Sequence, residues 1–212
     1  MNWKKKEVFE DMKNKIITGE LAPGEWLTER ELVEIYGISR TPVREVLWNL
    51  ASAYLVNIVP DHGYQVRLFS LDEVIEIYNA RQAIEGTCSR LACSSTDSDY
   101  MDRLLDIESE LKALDAEKDP EKGDLIGNKV HEFVIEKSRN NYLIDFNKKV
   151  SSVSDFTRNI LKRDGVAEAK AKFDHLEIIE ALKNRDSQGA EAAMIKHLRE
   201  SCKDAISNYC GI

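Results

Sequence analysis

The chain has 212 residues, 42% of them hydrophobic, and a formal net charge of -8 at pH 7. That is enough for one large or two small packed domains, and no stretch approaches the roughly 20 apolar residues of a membrane span. The acidic balance excludes a protein that coats nucleic acid indiscriminately, though not one with a locally basic reading surface, and the start, MNWKKKEVFEDMKNKI, has no apolar signal core and points to the cytoplasm.

Residues 5–18 place Val8, Met12 and Ile16 at helical spacing, and the glycines and proline of GELAPGE end that helix. TERE at 28–31 reads as a capping box from Thr28 to Glu31, opening a short helix with Leu32 and Ile35 on its inner side and a break at Gly37. Ser39 is placed to cap the next helix, whose first turn accepts Pro42 because an N–H there has no intrahelical partner to lose. Val43, Val46, Leu47 and Leu50 form its apolar stripe. After Tyr54 the period changes: LVNIVP and YQVRLF alternate around DHG, which predicts a two-stranded hairpin with Gly63 in its turn. The result is a winged helix-turn-helix outline over residues 1–69.

From Ser70 onward no strand pattern recurs. SLDE at 70–73 is a second capping box and opens a long helix through about Ala92. Breaker clusters at SSTDSD, EKDPEKG, SRNN, KRDG and NRDS divide residues 70–212 into about six helices. The expected fold class is therefore mainly α, a winged helix-turn-helix followed by an all-α helical bundle. Cys88, Cys93, Cys202 and Cys210 lack the usual zinc or redox spacings and read as reduced, small apolar residues.

On the third helix Arg40 and Arg44 are i and i+4 and share the face opposite the apolar stripe, with Thr41 beside them and Arg30 on the helix before. In a helix-turn-helix the second helix enters the major groove with its N-terminal residues at the base edges, where Arg bonds guanine bidentately. The plain alternative is a solvated face with two surface arginines. Residues 1–70 hold nine Lys or Arg against ten Asp or Glu, so DNA binding has to come from placed contacts and two copies acting together, not from a general basic field.

The run ITGELAPGEWLTERELVEIYGISRTPVREVLWNLASAYLVNIVPDHGYQV, residues 17–66, resembles the GntR family of bacterial transcription regulators. The match is dense and ordered, from Gly19, Pro23, Gly24 and Leu27 through Glu31, Leu32, Gly37 and Ser39–Pro42 to Arg44, Glu45, Leu47, Leu50, Leu55 and Gly63. The resemblance implies that Arg30, Arg40, Thr41 and Arg44 contact operator DNA, with His62 and Gly63 as a wing tip entering the minor groove. Tyr54 departs from it, standing where the family usually carries glycine; a turn there with positive φ strains tyrosine.

Three of the four histidines fall in the helical half, each on the inward stripe of a different predicted helix: His131 with Val134 and Ile135, His175 with Ile178, Ile179 and Leu182, His197 with Ala193, Met194 and Ser201. Each alone reads as a core histidine. Together they predict convergence on one centre, where three neutral imidazoles suit Zn, Ni or a related divalent ion and leave positions open for a ligand oxygen. Arg81 lies on the stripe Val74, Ile77, Tyr78, Ile84, Cys88 with Glu85 one turn on. It either pairs with Glu85 or grips a carboxylate with its planar fork.

YNARQAIEGTCSRLA, VHEFVIEKSRNNYL and DHLEIIEALKNRDSQGAEAAMIKHL resemble the FCD effector domain of the FadR subfamily within GntR. In that family an acidic residue four before the first histidine commonly joins three histidines on a metal, and small carboxylates bind beside it. His131, His175 and His197 fall on the histidine positions. Gly127 stands where the acid would be and Asn128 is one residue out of register, so the resemblance leaves the fourth ligand missing.

The expectation is a ligand-responsive transcription regulator, by family a repressor. It acts as a homodimer on a pseudo-palindromic operator, with a divalent metal at the three histidines and Arg81 and Asn128 facing a small carboxylate effector. The alternatives are a small metal-dependent enzyme at the same histidines, which lacks a recognisable nucleophile or general base, and a metal-free sensor of an acyl ligand.

Overall fold

The computed structural model describes residues 4–160 and 165–210. The chain falls into two units, Met1–Ser70 with Ser151–Ile160, and Leu71–Val150 with Leu161–Ile212.

In the first unit, α1 (Lys5–Ile17) buries Val8, Met12 and Ile16, one residue per turn. The second helix, α2 (Glu29–Tyr36), starts where the Thr28 hydroxyl accepts the Glu31 N–H at 3.2 Å and ends at Gly37, whose φ of 64° only glycine adopts cheaply. Its inner residues are Leu32 and Tyr36. Ile35, expected inside, is 64% exposed. Tyr36 is buried one full turn after Leu32 and donates its hydroxyl to Asp11 Oδ2 at 2.6 Å, so its polar end is satisfied. The third helix, α3 (Arg40–Ser52), begins after Ser39, whose side chain makes no cap hydrogen bond, and buries Val43, Val46, Leu47 and Leu50.

The wing has three antiparallel strands, β1 (Trp26–Leu27), β2 (Val56–Val59) and β3 (Gly63–Val66), in the order β1-β3-β2. Gly63 pairs with Val59 and has φ 106°, while Asp61 in the turn takes φ 62°. The two-residue β1 is too short for sequence alternation to reveal; it exists because Trp26 and Leu27 pair with Gln65 and Tyr64. Tyr54 adopts φ 59°. That twist lets the Leu55 N–H reach back to the Leu50 carbonyl at 3.0 Å and close α3, and the Arg67 guanidinium lies 5.6 Å from the Tyr54 ring centre. Residues Ser151–Ile160, the second half of α7 (Asn141–Ile160), count with this unit: Phe156 is fully buried in its core, edge-on to Phe69 at 5.5 Å.

The second unit holds α4 (Leu71–Ala92), α5 (Tyr100–Ala113), α6 (Pro120–Lys137), the start of α7, α8 (Gly165–Lys183) and α9 (Ser187–Cys210). SSTDSD, EKDPEKG, SRNN and NRDS fall at helix boundaries as expected; residues 162–164 of KRDG lie outside the described residues. The contacts close a ring: α4 packs on α9 and α6, and α8 packs on the same two. Phe133, Val134, Ile178, Ile179, Leu182, Met194 and Leu198 fill it. All four cysteines are free thiols. Among the described residues no helix is long and apolar enough to cross a membrane.

Candidate functional site

In the first unit Arg40, Thr41 and Arg44 are exposed on the outer face of α3, opposite its buried stripe. Arg30 is exposed on α2, its Nε 3.2 Å from Glu34 Oε1. Arg44 donates its Nε–H to Oε1 of Glu29, the first residue of α2, at 2.6 Å. At the hairpin turn His62 is exposed, with Nδ1 3.0 Å from the Pro60 carbonyl and its ring 6.0 Å from Trp26. Gly63 follows with the left-handed φ that the turn requires.

In the second unit the four ring helices each send polar side chains inward: Arg81 and Glu85 from α4, His131 from α6, His175 from α8 and His197 from α9. The histidines are 9%, 4% and 2% exposed, and one nitrogen of each lies within 4.8 Å of the others. His131 Nε2 is 3.2 Å from His175 Nε2, and the His175 and His197 ring centres are 4.3 Å apart.

Glu85 Oε2 lies 2.5 Å from His131 Nδ1, and Arg81 donates its Nε–H to Glu85 Oε1 at 2.6 Å. Burial opposes charge on Glu85, but Arg81 and then His131 outweigh it and hold the carboxyl well below the usual carboxylate range. An ionised carboxylate only accepts, so His131 gives it the Nδ1–H and turns Nε2 toward His175. Asp174 Oδ2 stands similarly but more loosely, 3.7 Å from His197 Nδ1.

These donors fit a divalent metal. An imidazole with its outer nitrogen on a carboxylate and its inner nitrogen toward other imidazoles is the usual support of a metal-bound histidine. Two nitrogens on one tetrahedral zinc sit roughly 3.3 Å apart, given Zn–N bonds of about 2.0–2.1 Å, close to the 3.2 Å between His131 and His175.

Gly127 explains part of the departure seen in the sequence. A Cβ there would lie 2.5 Å from His175 Cε1 and 3.0 Å from its Nδ1, so the His175 ring occupies the space where any side chain at 127 would begin. Asn128 turns its Nδ2 to Asp124 Oδ2 at 3.3 Å. The Arg81 side chain, 6% exposed, forms the ion pair with Glu85.

Two partners escaped sequence reasoning. Glu85 was legible only as the i+4 neighbour of Arg81; its bond to His131 joins residues 46 apart on different helices. Glu29 was legible only as a helix-start acid, and its bond to Arg44 spans 15 residues. No local periodicity reports either contact.

An exposed arginine-bearing helix after a turn, a β wing, and an all-α domain with a buried imidazole cluster define a winged helix-turn-helix transcription regulator. Residues 4–66 match the family described as bacterial regulatory proteins, gntR family, and residues 76–200 match the FCD domain. The chain belongs to the GntR family of DNA-binding regulators, carries an FCD domain, and is not an enzyme. It is similar to the HTH-type transcriptional repressor GlaR of Escherichia coli, 28% identical over 195 residues that cover 88% of this chain and 89% of the relative. It is also similar to the HTH-type transcriptional repressor RspR of Escherichia coli, 28% identical over 196 residues, 92% of this chain and 85% of the relative. The solved structure of E. coli McbR/YncC superposes with a TM-score of 0.80 at 20% identity, over 97% of this chain and 98% of that one, a likeness of fold.

Proposed function

We propose that this regulator is a ligand-responsive repressor that acts in the cytoplasm as a homodimer on a pseudo-palindromic operator. Residues 1–69 read DNA, and residues 70–212 bind the effector and dimerise. Arg30, Arg40, Thr41 and Arg44 meet the major groove and His62 and Gly63 the minor groove; the exposure of all three α3 residues on one face supports this. Two-fold symmetry presents two recognition helices to successive turns of the groove.

The observation that carries the sensory half of the proposal is the convergence of His131, His175 and His197, with nitrogens within 4.8 Å in a buried ring of helices. These three residues would hold a divalent ion, Zn or Ni, which would supply an open Lewis-acid position for an oxygen of the effector. Glu85 fixes the His131 tautomer, and Arg81 keeps Glu85 charged. Arg81 and Asn128 are the proposed contacts for a small carboxylate effector, which shares the Arg81 guanidinium with Glu85. Whatever factor the effector imposes on DNA affinity, DNA imposes on effector affinity.

The test is elemental analysis with native mass spectrometry on protein purified without chelator or affinity metal, followed by duplex binding with and without chelating carboxylates. About one ion per chain and carboxylate-dependent DNA affinity support the reading. One observation favours a second reading, a metal-free sensor of an acyl anion: Gly127 removes an anionic ligand from the set. A metal-free dimer that takes up neither Zn nor Ni decides for it.

A further inference from the structure

We infer that Glu29 is a positioning residue for base reading by Arg44. The inference rests on the proposed DNA contact of Arg44 and goes beyond it. Among the described residues Arg44 has a single hydrogen-bond partner, Glu29, through Nε. The carboxylate is held in place by the helix that carries it: Glu29 opens α2 directly after Thr28, whose hydroxyl accepts the Glu31 N–H and donates to Glu31 Oε2 at 2.7 Å. The Glu29 side chain is 25% exposed, that of Arg44 64%.

A surface pair of this kind contributes little to stability. Its geometric effect is larger. The guanidinium is a rigid fork, and reading guanine takes two parallel N–H donors to O6 and N7. With Nε occupied by Glu29, the Nη1–Nη2 edge is the one left for the base. The fork is then oriented before DNA arrives, and less side-chain freedom is lost on binding. The carboxylate also disfavours a bare phosphate at the same place, so it raises discrimination while lowering general affinity. Arg40 has no ion-pair or hydrogen-bond partner among the described residues, which suits an adaptable phosphate contact. The two arginines of one helix face are thus given different tasks by one carboxylate.

The probe is a set of duplexes selected from a randomised library by the full-length wild-type protein. Wild type, Glu29→Ala, Glu29→Gln, Arg44→Ala and the double variant Glu29→Ala/Arg44→Ala are titrated against the selected duplex, its single base-pair changes and an unrelated duplex, with circular dichroism melts to confirm folding. Glu29→Ala is expected to lower discrimination about ten-fold at the base pair where Arg44→Ala loses it, with affinity for the unrelated duplex equal or higher. Glu29→Gln, which still accepts one bond, falls between, and the double variant discriminates no worse than Arg44→Ala. Full discrimination in Glu29→Ala with its loss in Arg44→Ala overturns the role of Glu29 and leaves that of Arg44 standing. Unchanged discrimination in both variants overturns both.

Discussion

Replacing Arg81 by Met removes the cation from a pair whose Nε–Oε1 distance is 2.6 Å and whose side chains are 6% and 4% exposed. Solvent therefore screens little of the interaction. Removing the cation of a buried pair leaves Glu85 charged with the His131 Nδ1–H but without Arg81, and breaking such a pair costs about 3–5 kcal/mol, a large share of a domain's stability. The double variant Arg81→Met/Glu85→Leu removes both charges at similar volume. It removes the acceptor of the His131 Nδ1–H, a cost of about 1–3 kcal/mol. The acid limb follows in sign. Glu85 titrates in the folded state below its ordinary value of 4.5, so the pair's contribution is present above that pH and is lost as pH falls below it. Without Arg81 the folded value rises and the variant's stability depends less on pH in that range. Urea unfolding followed by far-UV circular dichroism, with chelator present so that metal linkage does not enter, measures wild type, Arg81→Met, Glu85→Leu and the double variant. An Arg81→Met variant within about 1 kcal/mol of wild type, or a double variant showing the sum of the two single losses, refutes the reasoning.

Gly127→Ala gains helix propensity of about 1 kcal/mol, but the new Cβ drives into the His175 ring at an overpacking cost of about 1–3 kcal/mol. The variant is expected to melt at or below wild type and to bind added Zn or Ni at least about ten-fold more weakly by calorimetric titration; a more stable variant with unchanged metal affinity contradicts the placement of His175. His175→Ala should lose the ion while binding the selected duplex as wild type does at matched protein concentration, and equal metal content in both proteins counts against the shared centre. Tyr54→Gly relieves a left-handed tyrosine, worth about 1–2 kcal/mol, and forfeits the Arg67 contact and some unfolded-chain entropy. A net gain of up to about 1 kcal/mol is expected in thermal unfolding, and a less stable variant shows that the strain at 54 is smaller than the ring contact and chain entropy that oppose its removal.

Much of the fold was legible because helices advertise themselves locally. The stripes Val8–Met12–Ile16 and Val43–Val46–Leu47–Leu50, the Thr28 side-chain cap on the Glu31 N–H and the inward placement of each histidine are set by backbone geometry over a few residues, so sequence spacing alone reports them. Tyr36 shows the limit of that reading. A one-residue choice between it and Ile35 was decided by a carboxylate on another helix, Asp11, able to satisfy a buried phenol.

The sequence by itself determined the order and amphipathic faces of the helices, the wing hairpin, and the residue types on the two candidate surfaces. Tertiary structure alone decided which of those residues meet: β1 on β3, Phe156 on Phe69, Glu29 on Arg44, Glu85 on His131, and the His175 ring over Gly127. The physical reason is separation along the chain. A helical stripe is fixed within two turns, whereas the nitrogens of residues 131, 175 and 197 come within 4.8 Å only when the ring of α4, α6, α8 and α9 closes.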